Sequence, residues 1–265
     1  MSVSITLLGC GSSGGVPRVG QGWGACDPNE VKNRRRRCSA LVERQGAEGV
    51  TRVLIDTSPD LREQLIDAGV DHLDGVILTH DHADHTHGLD DLRPLTILHR
   101  RRIDVFADAM TARSMLSRFG YCFVQPEGSS YPPILRLNEV RMGEGITIQG
   151  RGGALEFETF RLHHGDIDSL GLKVNNAVYS PDVNGIPAES LDALKGLDVW
   201  ILDALRPAAH PTHFSLPEAL EWIRRMLPRR AVLTNLHTDL DYVTLAASLP
   251  ENIVPAYDGM RITLS

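Results

Sequence analysis

Apolar and polar residues alternate along this chain in short blocks, with no long uniform runs. Residues 3–8 alternate near period two, and the blocks at 52–56 and 75–79 are β-branched, apolar and bounded by turn residues; all three predict strands. Residues 59–68 read as a helix, with Pro59 early, Leu61, Leu65 and Ile66 on one face and Gly69 to close it. Further helices are predicted over 88–98, with Pro94 at an early turn or kink, and over 110–119. After a Gly/Ser/Pro-rich connection at 121–133 the pattern turns to strands at 146–148, 155–162, 170–174 and 177–179. Helix 188–195, strand 199–203, helix 216–226, strand 231–235 and helix 242–248 follow, then short strands at 253–255 and 261–264. Two β-rich halves with helices outside predict an α/β (α+β) class: two mixed sheets packed face to face and flanked by helices. The connection near residue 130 is the expected joint between the halves. There is no solenoid repeat or low-complexity tract, and the 265 residues read as one domain, 1–265.

Thirty-four Asp and Glu against 27 Lys and Arg give a formal charge of −7, which argues against a general nucleic-acid coat. No apolar run approaches the roughly 20 residues of a membrane helix. Cys10, Cys26, Cys38 and Cys122 are too scattered for a disulfide framework. The first residues have no basic segment and too short an apolar stretch for a secretory leader, so a reducing, cytoplasmic setting is expected. Basic runs at 34–37 and 100–102 read as solvated faces, or alternatively as steering for an anionic substrate.

Gly9-Cys10-Gly11-Ser12-Ser13-Gly14 has the spacing of a dinucleotide fingerprint after a strand. That device needs a helix to follow, and Gly15, Pro17, Gly20, Gly22 and Gly24 forbid one. The stretch is better read as a loop lining a site, with Ser12 and Ser13 as substrate contacts.

The informative stretch is Thr79-His80-Asp81-His82-Ala83-Asp84-His85-Thr86-His87. Four of the chain's 11 histidines fall in these residues, directly after an apolar strand and before Gly88. Imidazoles two apart, at 80 and 82, can converge on one ion, while Asp84 and His85 can reach a second beyond a sharp turn. Neutral imidazole and carboxylate suit zinc, manganese or iron.

This stretch resembles the His-x-His-x-Asp-His signature of the metallo-β-lactamase superfamily. The resemblance implies an αββα sandwich and two divalent metal ions. By the family's motif order it implies His164 as a ligand before Gly165, Asp182 as a bridge in Tyr179-Ser180-Pro181-Asp182, and a last ligand in Leu233-Thr234-Asn235-Leu236-His237. His237 is the expected last ligand; Asn235, directly after the strand, or a missing ligand is the alternative. The motifs Gly11-Ser12-Ser13-Gly14-Gly15-Val16-Pro17, Asp56-Thr57-Ser58-Pro59-Asp60-Leu61-Arg62 and Gly88-Leu89-Asp90-Asp91-Leu92-Arg93 resemble the PhnP-like phosphodiesterase branch. That branch implies a histidine before the helix at 216 that protonates the leaving oxygen; His213 holds that place, with His210 as competitor. One departure stands out. Of the branch's cysteine cluster only Cys26 remains, with Thr238 where a late histidine would be, so no structural zinc is expected and Cys26 reads as a small buried group.

The resulting expectation is a dinuclear hydrolase of a small cyclic phosphate or nucleotide diester, with Asp84 and His213 in the chemistry. Arg93 and Arg206 are candidate phosphate clamps, and Asp56, Asp81 and His87 candidates for orienting ligands. The partner is a small phosphorylated molecule, with no large nucleic acid, no membrane, and a homodimer as the base expectation. Thioester or lactam hydrolysis is the alternative within the fold, and a non-catalytic metal- or nucleotide-binding role the alternative outside it.

Overall fold

The computed structural model describes residues 2–264. One seven-stranded sheet has the order β14 (Met260–Leu264), β1 (Ser2–Gly9), β2 (Ser39–Gly46), β3 (Gly49–Ile55), β4 (Gly75–Ile77), β5 (Ile103–Ala107), β6 (Leu135–Glu139). The other runs β13 (Ile253–Pro255), β12 (Arg230–Thr234), β11 (Val199–Asp203), β10 (Ala177–Ser180), β9 (Ile167–Val174), β8 (Leu155–His164), β7 (Gly145–Ile148). In each sheet three antiparallel pairings give way to three parallel ones.

Side chains alternate between two cores, because successive residues of a strand face opposite sides. Ile5, Leu7, Val42, Val53 and Ile55 meet Phe157, Leu172, Tyr179 and Ile201 between the sheets. Their sequence neighbours Leu8, Leu41 and Leu54 pack outward under α1 (Leu61–Asp67) and α4 (Ala109–Phe123). On the second sheet Val199 and Ile201 face inward, while Trp200 and Leu202 pack under α5 (Leu216–Met226) and α6 (Tyr242–Ser248). Burial on both faces explains why the parallel strands read as apolar runs.

The expected αββα arrangement is what the chain adopts, with local corrections. β2, β5 and β6 were not anticipated: β2 ends in Glu43-Arg44-Gln45, and β6 is an edge strand carrying Arg136 and Asn138. Because β6 pairs with β5, the passage between sheets lies after residue 139 and not near 130. The helix expected at 88–98 divides into a 3-10 turn over Leu89–Leu92 and α3 (Arg93–His99), and that at 188–195 is 3-10. After β1 the Gly-rich stretch passes through turns and opens no helix.

A polar clamp ties α6 to the loop after β1. Asp241 caps α6 by accepting from Thr244 N, and also accepts from Asp27 N and from Asn33 Nδ2 at 2.6 Å. Burial works against its charge, yet these donors hold its carboxyl well below the ordinary carboxylate range. A depressed carboxylate stabilises the fold above its unfolded pKa and loses that contribution as pH falls. Asp241→Ala should therefore cost about 1–2 kcal/mol at pH 7 in urea unfolding. The gap to the parent protein should narrow as pH drops below about 4.

Candidate metal centre

The polar cluster forms where strands of both sheets end. Asp56 follows β3, Thr79 and His80 follow β4, His164 ends β8, Asp182 follows β10, Asp203 ends β11 and Asn235 follows β12. Carboxyl ends of parallel strands present chain turns toward a common crevice, the usual place for a ligand in such sheets.

Two groups of ligand-type atoms result, each with its atoms within 4.8 Å of one another. His80, His82, His164 and Asp182 form one; Asp84, His85 and Asp182 form the other, so Asp182 is common to both. His82 caps α2 (Ala83–Thr86), a single turn that swings Asp84 and His85 back toward Asp182. Gly88 allows that turn to seat on the chain after β3: a Cβ there would stand 2.0 Å from Ser58 O.

The rings are aimed by fixed partners. Asp56, wholly buried with a left-handed backbone (φ 62°), accepts from Thr79 N and Thr79 Oγ1 and binds His85 Nδ1 at 2.7 Å. His164 Nδ1 donates to Thr212 O at 2.6 Å. Asp81 turns away to Ser114 and Arg118 on α4, so it anchors the loop from outside. His87 faces Phe119, and with His82, Ala83 and Arg118 these two line a cavity of about 700 Å³ opening beside the cluster.

A divalent cation fits this donor set. His80 Nε2 is buried with no hydrogen-bond partner, and its nearest acidic oxygen, on Asp182, is 3.8 Å away. Burial opposes charge on His85, yet Asp182, Asp56 and Asp84 push its pKa well above the ordinary histidine range, as expected of a pocket that attracts positive charge. His80 goes the other way, pushed well down by burial and by His85, which leaves a neutral imidazole lone pair.

His213 stands at the rim of the first group. Its Nδ1 binds Asp203 Oδ2 at 2.8 Å and lies 3.9 Å from Asp182. Burial opposes its charge, but Asp203 and Asp182 prevail and its pKa is pushed up to about 9. His210 lies farther out, its ring 5.1 Å from that of His213, bonded to Thr212.

The structure corrects two expectations. His237 does not join the second group: its ring meets Arg18 at Nε2 and Asp239 at Nδ1. The reason is the left-handed turn at Asn235 (φ 60°), which is buried and sends its own amide to Asp182 Oδ1 at 3.2 Å. Asn235 thus occupies the strand-end position, two residues before His237. Arg93 is held by Asp90 on the outer face, beside Tyr121 and a separate cavity of about 840 Å³, and is no clamp at the cluster. Arg206 is half-buried in the loop before α5, bonded to the carbonyls of Ala208 and Ala209, and bears on His210 and not on the cluster itself. Ser12 is buried with its backbone toward Leu236, whereas Ser13 is exposed. His163 is an exposed strand residue paired with Asp168. Cys26 is buried, its sulfur against the carbonyls of Thr238 and Leu240.

Sequence reasoning missed Asp203 and Arg18. A carboxylate closing the apolar strand Val199-Trp200-Ile201-Leu202 was a readable signal for the first; nothing local marked the second.

Residues 51–235 match the Beta-lactamase superfamily domain. The solved structure of a diphosphatase from the PhnP family is 32% identical, with a TM-score of 0.89 and coverage of 100% of this chain and 98% of that one. Zn(2+)-bound PqqB from Methylobacterium extorquens shares the fold at 16% identity and TM-score 0.76, over 98% and 99% of the chains. An octanoyltransferase of Porphyromonas gingivalis is 35% identical over 260 residues, 96% of this chain; the chain spans half the length of that relative. The chain belongs to the beta-lactamase superfamily and stands close to its PhnP family. Its fold and His/Asp cluster are those of a metal-dependent hydrolase.

Removing the group that aims His85 should loosen the metal. Asp56→Ala is expected to weaken divalent-ion affinity about 10–100-fold, read by competition with a chelating dye. An unchanged affinity would mean that Asp56 serves the fold only.

Proposed function

We propose that this protein hydrolyses a phosphoric diester or diphosphate linkage in a small phosphorylated molecule. The observation that carries this reading is a carboxylate-held imidazole, His213 on Asp203, at the rim of the His/Asp cluster. Likeness to a PhnP-family diphosphatase at 32% identity supports the same bond class.

His80, His82, His164 and Asp182 would hold one divalent ion, and Asp84, His85 and Asp182 the other. When bound, such paired ions activate water near neutral pH and neutralise charge on phosphoryl oxygens. The remaining work falls to the chain. Asp203 fixes the His213 ring through Nδ1, so Nε2 is the atom that hands a proton to the leaving oxygen. Asn235 donates to Asp182 and to Pro181 O and lies 3.1 Å from His213 Nδ1, holding carboxylate and imidazole in register. The cavity lined by His87, Arg118 and Phe119 offers room for a planar substituent of the substrate.

The octanoyltransferase relative favours a second reading, acyl-ester or thioester hydrolysis; that name belongs to a protein about twice as long. Metal-depleted protein reloaded with manganese or zinc should turn over bis(p-nitrophenyl) phosphate, with His82→Ala as blank. His213→Ala should lower kcat about 10²–10⁴-fold. Turnover of p-nitrophenyl octanoate in place of the phosphate ester would overturn the phosphoryl reading in favour of the acyl one.

A further inference from the structure

Beyond His213 the surface of the site turns basic. His210 follows at 5.1 Å between ring centres, and His237 and Arg206 both bear on the charge of His210. Arg18 and Arg206 in turn bear on His237. All four side chains are half-buried. Three segments remote in sequence supply them: the loop after β1, the loop before α5 and the segment after β12. Bridges from Gly11 to Leu236 and a hydrogen bond from His237 N to Leu205 O hold these segments together.

Among the described residues the guanidiniums of this band have no acidic partner. Arg18 gives Nη1 to His237 Nε2, and Arg206 reaches only the carbonyls of Ala208 and Ala209. Neither has a carboxylate within 4.0 Å among the described residues. The carboxylate of Asp239 is engaged on His237 Nδ1, which fixes the neutral ring with Nε2 as acceptor toward Arg18. Arg18 lies close over Gly14, where a Cβ would stand 2.2 Å from its Nε, so the loop's lack of a side chain makes the place for the guanidinium. Half-buried guanidiniums without acids are matched by an external anion, and their forked donors suit phosphate oxygens.

We propose that Arg18, Arg206 and His210, with His237 holding Arg18 in place, seat a second phosphoryl group of the substrate, the one that departs. This rests on the phosphoryl reading above and names its substrate class: molecules joined through a diphosphate bridge, in preference to cyclic monophosphates. In the reaction, the oxygen of water forms a bond to the phosphorus held at the His/Asp cluster. The bridging P–O bond breaks, its electron pair goes to the bridging oxygen, that oxygen takes the proton from His213, and the proton lost by the attacking water returns His213 to its starting state by way of solvent. The group beyond the bridging oxygen then lies on the His210 side, toward the guanidiniums of Arg18 and Arg206.

The test is calorimetric titration of the metal-loaded protein with non-hydrolysable imidodiphosphate and with orthophosphate. The parent protein should prefer imidodiphosphate. In the Arg18→Gln, Arg206→Gln double variant the ratio of the two affinities should fall about tenfold or more, since one charge-assisted contact amounts to roughly that factor. Arg18→Lys should recover part of the ratio. An unchanged ratio, or an equal loss of both ligands, would overturn the second seat. The bond class itself is judged separately, by whether the parent protein turns over any phosphate ester. Turnover with an unchanged binding ratio would leave the phosphoryl reading standing and remove only the seat.

Discussion

Asp182 is a carboxylate only 2% exposed, and four imidazoles converge on it: His85 at 3.1 Å, His164 at 3.6 Å, His80 at 3.8 Å and His213 at 3.9 Å. A buried charge is costly unless it is paired and hydrogen-bonded. Ser169 on β9 fixes its backbone through Asp182 O, and Asn235 after β12 fixes its side chain, so strands on both sides of β10 in the second sheet hold it. Two of the imidazoles reaching it, His80 and His85, come from the first sheet's loop at 80–85, and two, His164 and His213, from the second half. The contact between the two halves at this end of the sandwich is therefore electrostatic, while along its length it is apolar. A cation held there would satisfy the carboxylate and the lone pairs of the imidazoles at once.

The repeated strand order of the two sheets explains how such a cluster can be precise. Each sheet contributes the carboxyl ends of parallel strands, and the central ones, such as β4, β10 and β11, are buried on both faces. Rigid strands set the starting points of the loops, and short polar bonds set the rest: Asp56 to His85, Thr212 to His164, Asp203 to His213. Groups held within about 0.5 Å of their working geometry need support of this kind.

Legibility in the sequence followed the range of each interaction. His80, His82, Asp84 and His85 lie within six residues, so local spacing revealed them. His164 and Asp182 came from motif order, and both stand in the cluster. His237 failed because one left-handed residue, Asn235, decides which way the strand end turns, and a motif does not carry a backbone angle. Arg93 failed because the start of α3 lies on the outer face, which depends on how α3 packs and not on its own residues. Arg18 was invisible because the bridge from Gly11 to Leu236 spans most of the chain. Among the strands, those missed were the ones whose charged positions hid a short apolar alternation, as in Leu135-Arg136-Leu137-Asn138.

The pairing of β1 with β14 carries a further consequence for biosynthesis. Val3 opposes Leu264 and Leu7 opposes Met260, so one flank of the earliest strand waits for the latest. During translation β1 and β2 can form their ladder on the ribosome while the open flank of β1 stays unsatisfied until the polypeptide has been made through residue 264. An uncovered strand edge is a template for pairing with other chains. Nascent-chain protection, and not only native stability, is thus a requirement that this topology places on its host.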